Sequence, residues 1–171
     1  MLKETINLNQ ITYRTEAKES DLKALEEILA SSGFFHSYEI VVAKELLQYR
    51  LEDGDEDKDD YHYIFADDNN KMVGFIAFSF EACTLYTYYL YWFAVHDDCR
   101  GKGIGKVLLK KAEDYIVANG GKKIVMGTSG RDIYKPTRDF YIKQGYREFG
   151  RIPDYYAVGD ANITYVKDVG V

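Results

Sequence analysis

The chain is short of the residues that build crosslinked, segmented or membrane-spanning proteins. Cysteine occurs twice, at Cys83 and Cys99, too few for a disulfide framework and without the paired spacing of a metal site. Reduced thiols in a cytosol, packed as small apolar fillers, are the expectation. There are two prolines and no Pro/Ser-rich stretch, so no linker divides the chain. No run approaches the roughly 18 apolar residues of a membrane span, the longest being Tyr88 to Val95. The N-terminal MLKETINLNQ has no apolar stretch of the secretory kind. No basic stripe marks a nucleic-acid-binding face. The acidity is local: Glu52 to Asp60 holds seven acids and one base, and outside it each sign occurs 21 times. That run is read as a solvated loop, with a field able to draw in a cationic substrate.

What is present is a core. The 171 residues are 46% hydrophobic and 15% aromatic, with 16 tyrosines. Length and composition predict one cytoplasmic globular domain over residues 1–171, large enough to bury about 70% of its unfolded surface.

The patterning predicts mixed α/β architecture. Ile11 to Thr15 reads as a strand. Ser20 reads as an N-cap before Leu22, Leu25, Ile28 and Leu29 at helical spacing, and Gly33 as the stop. A second helix after Ser37 turns Ile40, Val41, Leu46, Leu47 and Leu51 inward. Tyr61 to Ala66 and Met72 to Phe80 flank Asp67-Asp68-Asn69-Asn70 as a hairpin, and a third sheet strand covers about 87 to 95. Ile104, Val107, Leu108, Ala112, Tyr115 and Ile116 then share one helix face, stopped by Asn119-Gly120-Gly121. Lys123 to Thr128 is a strand, Pro136 to Gln144 a short helix, and 146 to 156 and 161 to 168 two closing strands.

The most informative segment joins Phe93-Ala94-Val95 to Arg100-Gly101-Lys102-Gly103-Ile104-Gly105-Lys106 and opens into a helix. A strand ending in a glycine-rich turn at a helix N-terminus aims unbonded backbone N–H groups, and the positive end of the helix dipole, at one place. That is an anion site, with Arg100, Lys102 and Lys106 adding charge around it. A dinucleotide fingerprint would need glycine where Lys106 or Leu108 stands, and a Walker loop would need Ser or Thr after Gly105-Lys106, where Val107 stands. Arg100, Gly103 and Gly105 remain, as R-x-x-G-x-G.

This resembles the pyrophosphate-binding [RQ]-x-x-G-x-[GA] motif of the GNAT superfamily of acetyl-CoA-dependent N-acetyltransferases. The preceding Ala94-Val95, the following Leu108-Leu109 and the later Phe140-Tyr141-Ile142-Lys143-Gln144-Gly145-Tyr146 are similar to the family's surroundings of that motif, and the likeness covers about residues 60 to 168. It implies a mixed, mostly antiparallel sheet of about seven strands with about four helices and a splayed parallel pair. Acetyl-CoA is the implied co-substrate, with no metal. Its pantetheine arm would bond the main chain of Phe93, Ala94 and Val95, opposite Ile124 to Thr128. Its diphosphate would rest on the amides of Arg100, Gly101, Lys102, Gly103, Ile104, Gly105 and Lys106.

By the same resemblance Tyr141 is the acid that protonates the departing thiolate, a role suited to a phenol with a pKa of about 10. Two positions depart from the family. Val125-Met126-Gly127-Thr128-Ser129 lacks the carboxylate that several relatives carry, leaving Glu81 as the substitute base, and Tyr134 stands where many relatives have a cofactor-contacting Asn. Neither cysteine has a His-Asp arrangement, and His36, His62 and His96 have no part in this chemistry, so the amine is expected to attack directly in a ternary complex. The acceptor is a small-molecule amine or a peptide amine, with the aromatic Ser32-Gly33-Phe34-Phe35-His36-Ser37-Tyr38 as one wall. Asp154-Tyr155-Tyr156 and Gly159-Asp160-Ala161 are faintly similar to enzymes acetylating N-terminal amines of ribosomal proteins. No nucleic acid or membrane is expected as partner, and a homodimer is compatible with the family. A catalytically silent acyl-CoA-binding or sensing domain, and a pure interaction protein, are the alternatives.

Overall fold

A computed structural model describes residues 10–53 and 61–170. Most of the acidic run, and the N-terminal segment before Gln10, lie outside the described residues. Elements follow the order β1 (Ile11–Arg14), α1 (Glu19–Ser32), α2 (Ser37–Asp53), β2 (His62–Asp68), β3 (Lys71–Phe80), β4 (Thr87–Val95), α3 (Ile104–Ala118), β5 (Lys123–Ser129), α4 (Lys135–Lys143), β6 (Arg147–Ala157) and β7 (Asp160–Asp168). The strands form one sheet in the order β1-β2-β3-β4-β5-β7-β6. β4 and β5 run parallel, while β1–β2, β5–β7 and β6–β7 are antiparallel. Both the element order and the mixed α/β class agree with the sequence pattern.

Contacts gather the described residues into two compact units. One holds the chain up to Ala77 with Trp92–Ala112, the other Phe78–Tyr91 with the chain from Glu113 onward.

In the first unit, Leu25, Ile28 and Leu29 of α1 and Ala43 and Leu47 of α2 pack with Tyr63, Phe65, Met72, Phe75 and Ala77 of the sheet. Val41 is 53% exposed rather than inward, because the buried stripe of α2 passes through Ala43 and Leu47, 3.6-residue neighbours that leave position 41 on the outer side. The N-cap of α1 is Lys18, not Ser20. Asp21, at the third helical position, reaches back to accept the Lys18 backbone N–H at 2.8 Å, half of a capping box. Gly33 closes the helix at φ 65°. The hairpin turn is only Asn69-Asn70, both at positive φ (49° and 65°), the pair of left-handed residues that a tight two-residue connection requires.

Asp67 belongs to β2 instead, and is 2% exposed. It meets Arg14 twice, at 2.7 Å to Nε and 3.0 Å to Nη2. The same guanidinium holds buried Asp21 at 2.8 and 2.7 Å and lies 4.5 Å above the Phe65 ring. One arginine on β1 thus bridges two buried carboxylates from α1 and β2, with Lys18 Nζ 3.4 Å from Asp67 as a second cation.

In the second unit Glu113 of α3 pairs with Lys167 of β7, and α4 meets β7 through Tyr141 on Tyr165 and β5 through Arg138 on the Ser129 carbonyl. Phe78 meets Tyr115 at 5.4 Å and Phe80 meets Tyr88 at 5.5 Å, both edge to face. β6, at the sheet edge, is exposed along nearly its whole length. Pro153, and Asp154 at φ 51°, sit where its register with β7 shifts, features that blunt an open edge. Cys99 is buried as expected. Cys83 is exposed at φ 63° in the β3–β4 connection, so it fills no core.

Candidate active site

In the first unit, β4 ends with Ala94 buried between half-buried Phe93 and Val95. Gly74 of β3 allows this placement: a Cβ there would lie 3.1 Å from the Ala94 carbonyl, 3.2 Å from Val95 Cγ2 and 3.3 Å from Leu108 Cδ1. The His96 N–H bonds the Val73 carbonyl at 2.8 Å, a 3-10 turn spans Asp97–Cys99, and the chain then passes Gly101 (φ 74°) and Gly103 (φ 85°) into α3. A side chain at either glycine would cost about 1–2 kcal/mol in this left-handed conformation. Ile104 is fully buried and fixes the first turn of α3. The backbone N–H groups of Ile104, Gly105 and Lys106 have no acceptor within the helix, and the dipole adds positive potential there. Val107 is 39% exposed rather than part of the buried face, which runs through Ile104, Leu108, Ala112 and Ile116 with Leu109 beside it.

The cations differ in employment. Arg100 stacks on Phe34 at 4.8 Å, donates to the Val95 carbonyl at 3.3 Å and pairs with Asp97 at 3.2 Å. Lys102 donates to the Asp98 carbonyl at 2.7 Å. These two brace the turn, and Lys106 is exposed on α3. The connection between α1 and α2 is packed: Phe34 supports Arg100, and Phe35 meets Trp92 at 5.8 Å.

In the second unit, α4 carries Tyr141, which is 7% exposed. Its ring lies 5.8 Å from Phe140, 5.8 Å from Tyr165 and 6.1 Å from Tyr146. The helix end is held firmly. Lys167 Nζ donates at 2.9 Å to both Glu113 oxygens and to the Gln144 carbonyl, and the Tyr146 hydroxyl donates to Glu113 at 3.0 Å. Burial keeps the Tyr141 phenol well above its ordinary pKa of 10, reinforced by the phenols of Tyr134, Tyr165, Tyr156 and Tyr89. It therefore stays a proton donor at neutral pH.

Glu81 lies just beyond β3, where its N–H bonds the Thr87 carbonyl at 2.8 Å and its carbonyl accepts from Thr84 Oγ1 at 2.7 Å. Its carboxylate is within electrostatic reach of Tyr89. Tyr134 is buried beneath the Arg131 guanidinium at 5.3 Å. After β5 the chain is locked by Asp160, which accepts from Ser129 Oγ at 2.6 Å and Gly130 N at 3.2 Å and pairs with Arg131 at 3.1 Å. The sequence marks Asp160 only within Gly159-Asp160-Ala161 and Tyr89 only as a strand residue. Their roles arise from pairings that only the folded sheet creates.

Several tyrosines are neutral by burial, so folding should weaken in alkali. Burial raises Tyr63, Tyr141 and Tyr146 above 10 and pushes Tyr156 up to about 12. Because the folded values exceed the unfolded ones, this stabilisation is complete below about pH 10 and is lost as pH rises through the folded values. The urea midpoint is expected to fall between about pH 10 and 12, with tyrosinate absorbance rising together with unfolding. A midpoint flat over that range would contradict the burial of these phenols.

Among the described residues, no group of three or more His, Cys, Asp or Glu is placed to hold a metal ion, and no helix is long and apolar enough to cross a membrane.

Residues 22–146 match the family model described as Acetyltransferase (GNAT) family. An uncharacterized N-acetyltransferase of Methanocaldococcus jannaschii is 33% identical over 107 residues, which is 61% of this chain and 65% of that protein, just under two thirds of its length. The crystal structure of a GNAT-family protein from Desulfovibrio desulfuricans is similar with a TM-score of 0.85 and 30% identity over 92% of this chain and 98% of that one. An aminoglycoside 6'-N-acetyltransferase complexed with coenzyme A shares the fold, with a TM-score of 0.70 and 19% identity over 92% of this chain and 96% of that one. The glycine turn at the head of α3 and the aromatic helix α4 are therefore elements of a known architecture, and the chain belongs to the GNAT acetyltransferase family.

Proposed function

We propose that this chain, as a single domain over residues 1–171, moves an acetyl group from acetyl-CoA to a primary amine by direct attack in a ternary complex. The observation that carries the reading is the turn itself: Gly101 and Gly103 at positive φ, delivering the chain into the N-terminus of α3 directly after β4. Such a turn suits a diphosphate, whose oxygens accept from backbone N–H groups that a side chain would crowd. Residues 100–106 would bind it, and the main chain of Phe93, Ala94 and Val95 would bond the pantetheine amides. The membership of the family and the coenzyme A bound to a fold neighbour support acetyl-CoA as co-substrate.

In the reaction, the amine lone pair forms the new C–N bond at the thioester carbonyl, the C–S bond breaks, and the thiolate takes a proton from the Tyr141 hydroxyl. The proton lost by the amine goes to Glu81, directly or through water. The acceptor is a small-molecule amine or a peptide N-terminus. The silent acyl-CoA-binding alternative draws on Gly127, which leaves β5 without a carboxylate at that position.

Calorimetric titration with acetyl-CoA tests the turn. Gly103→Asp places a carboxylate against the diphosphate and forces a left-handed aspartate, and is expected to weaken binding by at least about 100-fold, near 3 kcal/mol. Equal affinity of both proteins would remove the turn from the cofactor site. Release of free thiol with an amine present distinguishes the enzyme from the silent binder.

A further inference from the structure

Helix α4 is nine residues long, too short to hold its shape unaided, yet it carries the phenol proposed as the acid. Its C-terminal end is closed through Tyr141 itself. The Tyr146 N–H bonds the Tyr141 carbonyl and the Gly145 N–H bonds the Ile142 carbonyl, both at 3.0 Å, the paired bonds of a Schellman cap with Gly145 at φ 87°. Tyr146 is tied at its far end as well, where its hydroxyl donates to Glu113 at 3.0 Å. Lys167 completes the arrangement. Its Nζ lies 2.9 Å from each Glu113 oxygen and 2.9 Å from the Gln144 carbonyl, and 5.2 Å from the centre of the Tyr146 ring. One ammonium on β7 thus joins α3 to the cap of α4.

A proton donor works only if its oxygen meets the leaving sulfur within hydrogen-bond distance, and a misplacement of about 1 Å can cost about 100-fold in rate. Two of the contacts that fix Tyr141 run through Tyr146: the bond to the Tyr141 carbonyl and the ring packing at 6.1 Å. Tyr146 is fixed in turn by Glu113 and Lys167. We propose that Lys167 and Glu113 are positioning residues for the transfer, setting where the Tyr141 hydroxyl stands by acting through Tyr146 and the α4 cap rather than on the substrate. The inference rests on the reading of Tyr141 as the acid. An apolar side chain at 167 would fill the space but remove the donor to a largely buried carboxylate and to the Gln144 carbonyl.

The test is a double-mutant cycle between Lys167→Met and Tyr141→Phe, read as single-turnover thiol release from acetyl-CoA. L-alaninamide, spermidine and an alanine-headed pentapeptide are tried as acceptors, and the fastest is used throughout. Lys167→Met is expected to slow release by about tenfold in the parent, with the acetyl-CoA Kd unchanged, and by less than about twofold in Tyr141→Phe, since misplacing an acid already absent costs nothing. Lys167→Arg, which still presents N–H donors, is expected to keep at least about half of the parent rate. Thermal denaturation checks that each variant is folded, and if Lys167→Met is not, Glu113→Gln takes its place in the cycle with the same expected pattern. A merely structural role would slow both backgrounds by the same factor, and that result overturns the inference while leaving Tyr141 as the acid. A parent rate untouched by the substitution overturns it too. If Tyr141→Phe costs nothing, the acid reading fails and this inference with it. If no amine releases thiol while calorimetry shows acetyl-CoA bound, the transferase reading itself fails and takes both with it.

Discussion

Tyr141→Phe is expected to lower kcat by about 100-fold or more while leaving the acetyl-CoA Kd unchanged. The substitution removes one oxygen and keeps the ring, so the packing against Phe140, Tyr146 and Tyr165 survives. What disappears is the proton for the departing thiolate, and positioned acids of this kind contribute roughly 10²–10⁴-fold. Burial holds the Tyr141 phenol above its ordinary 10, so its deprotonation will not lower the rate of the unmodified enzyme between about pH 7 and 9. Stopped-flow thiol release with saturating amine measures the effect. An unchanged kcat would transfer the acid role elsewhere or imply that the thiolate leaves unprotonated.

Arg14→Met should cost about 3–5 kcal/mol of stability, because it strands Asp21 and Asp67, each 2% exposed, without their shared cation. For a chain of this length that corresponds to a fall in Tm of roughly 6–20 °C. Lys18, 3.4 Å from Asp67, is itself half-exposed and is a weak substitute. The triple variant Arg14→Met, Asp21→Asn, Asp67→Asn is expected to recover much of the loss, since the penalty lies in unpaired buried charge rather than in the missing attraction. Urea denaturation of the single and triple variants decides the matter. A single variant within about 1 kcal/mol of the parent would mean that water reaches those carboxylates.

The order of elements was legible because its signals are local. Leu25, Ile28 and Leu29 repeat at helical spacing, Asn69-Asn70 mark a tight turn, and Gly101, Gly103 and Gly105 precede an apolar helix face. What local pattern could not supply is direction around a helix when both sides carry aliphatic residues, as in α2, where Val41 and Val42 are exposed and Ala43 is buried. Nor could it supply long-range polar partners. Asp67 reads as a turn residue until β2 pairs with β1 and places it on Arg14, 53 positions earlier. The anion turn was visible because its residues are local, and the side chains around Gly127 were not because theirs are scattered. Residues 100–106 are contiguous, while Tyr89, Gly127, Tyr156 and Asn162 come from four strands or their ends. The absent carboxylate at Gly127 was plain in the sequence. That Asn162 and Tyr89 fill its space was not.

Trp92 is the chain's one tryptophan, set in β4 next to Phe93 and against Phe35 of the α1–α2 connection. The protein consequently carries a single indole, excitable at longer wavelength than its 16 tyrosines, one residue from the strand segment proposed for pantetheine. Its emission colour and quenching arise from one indole environment, which makes unlabelled ligand titrations interpretable at the level of a single residue.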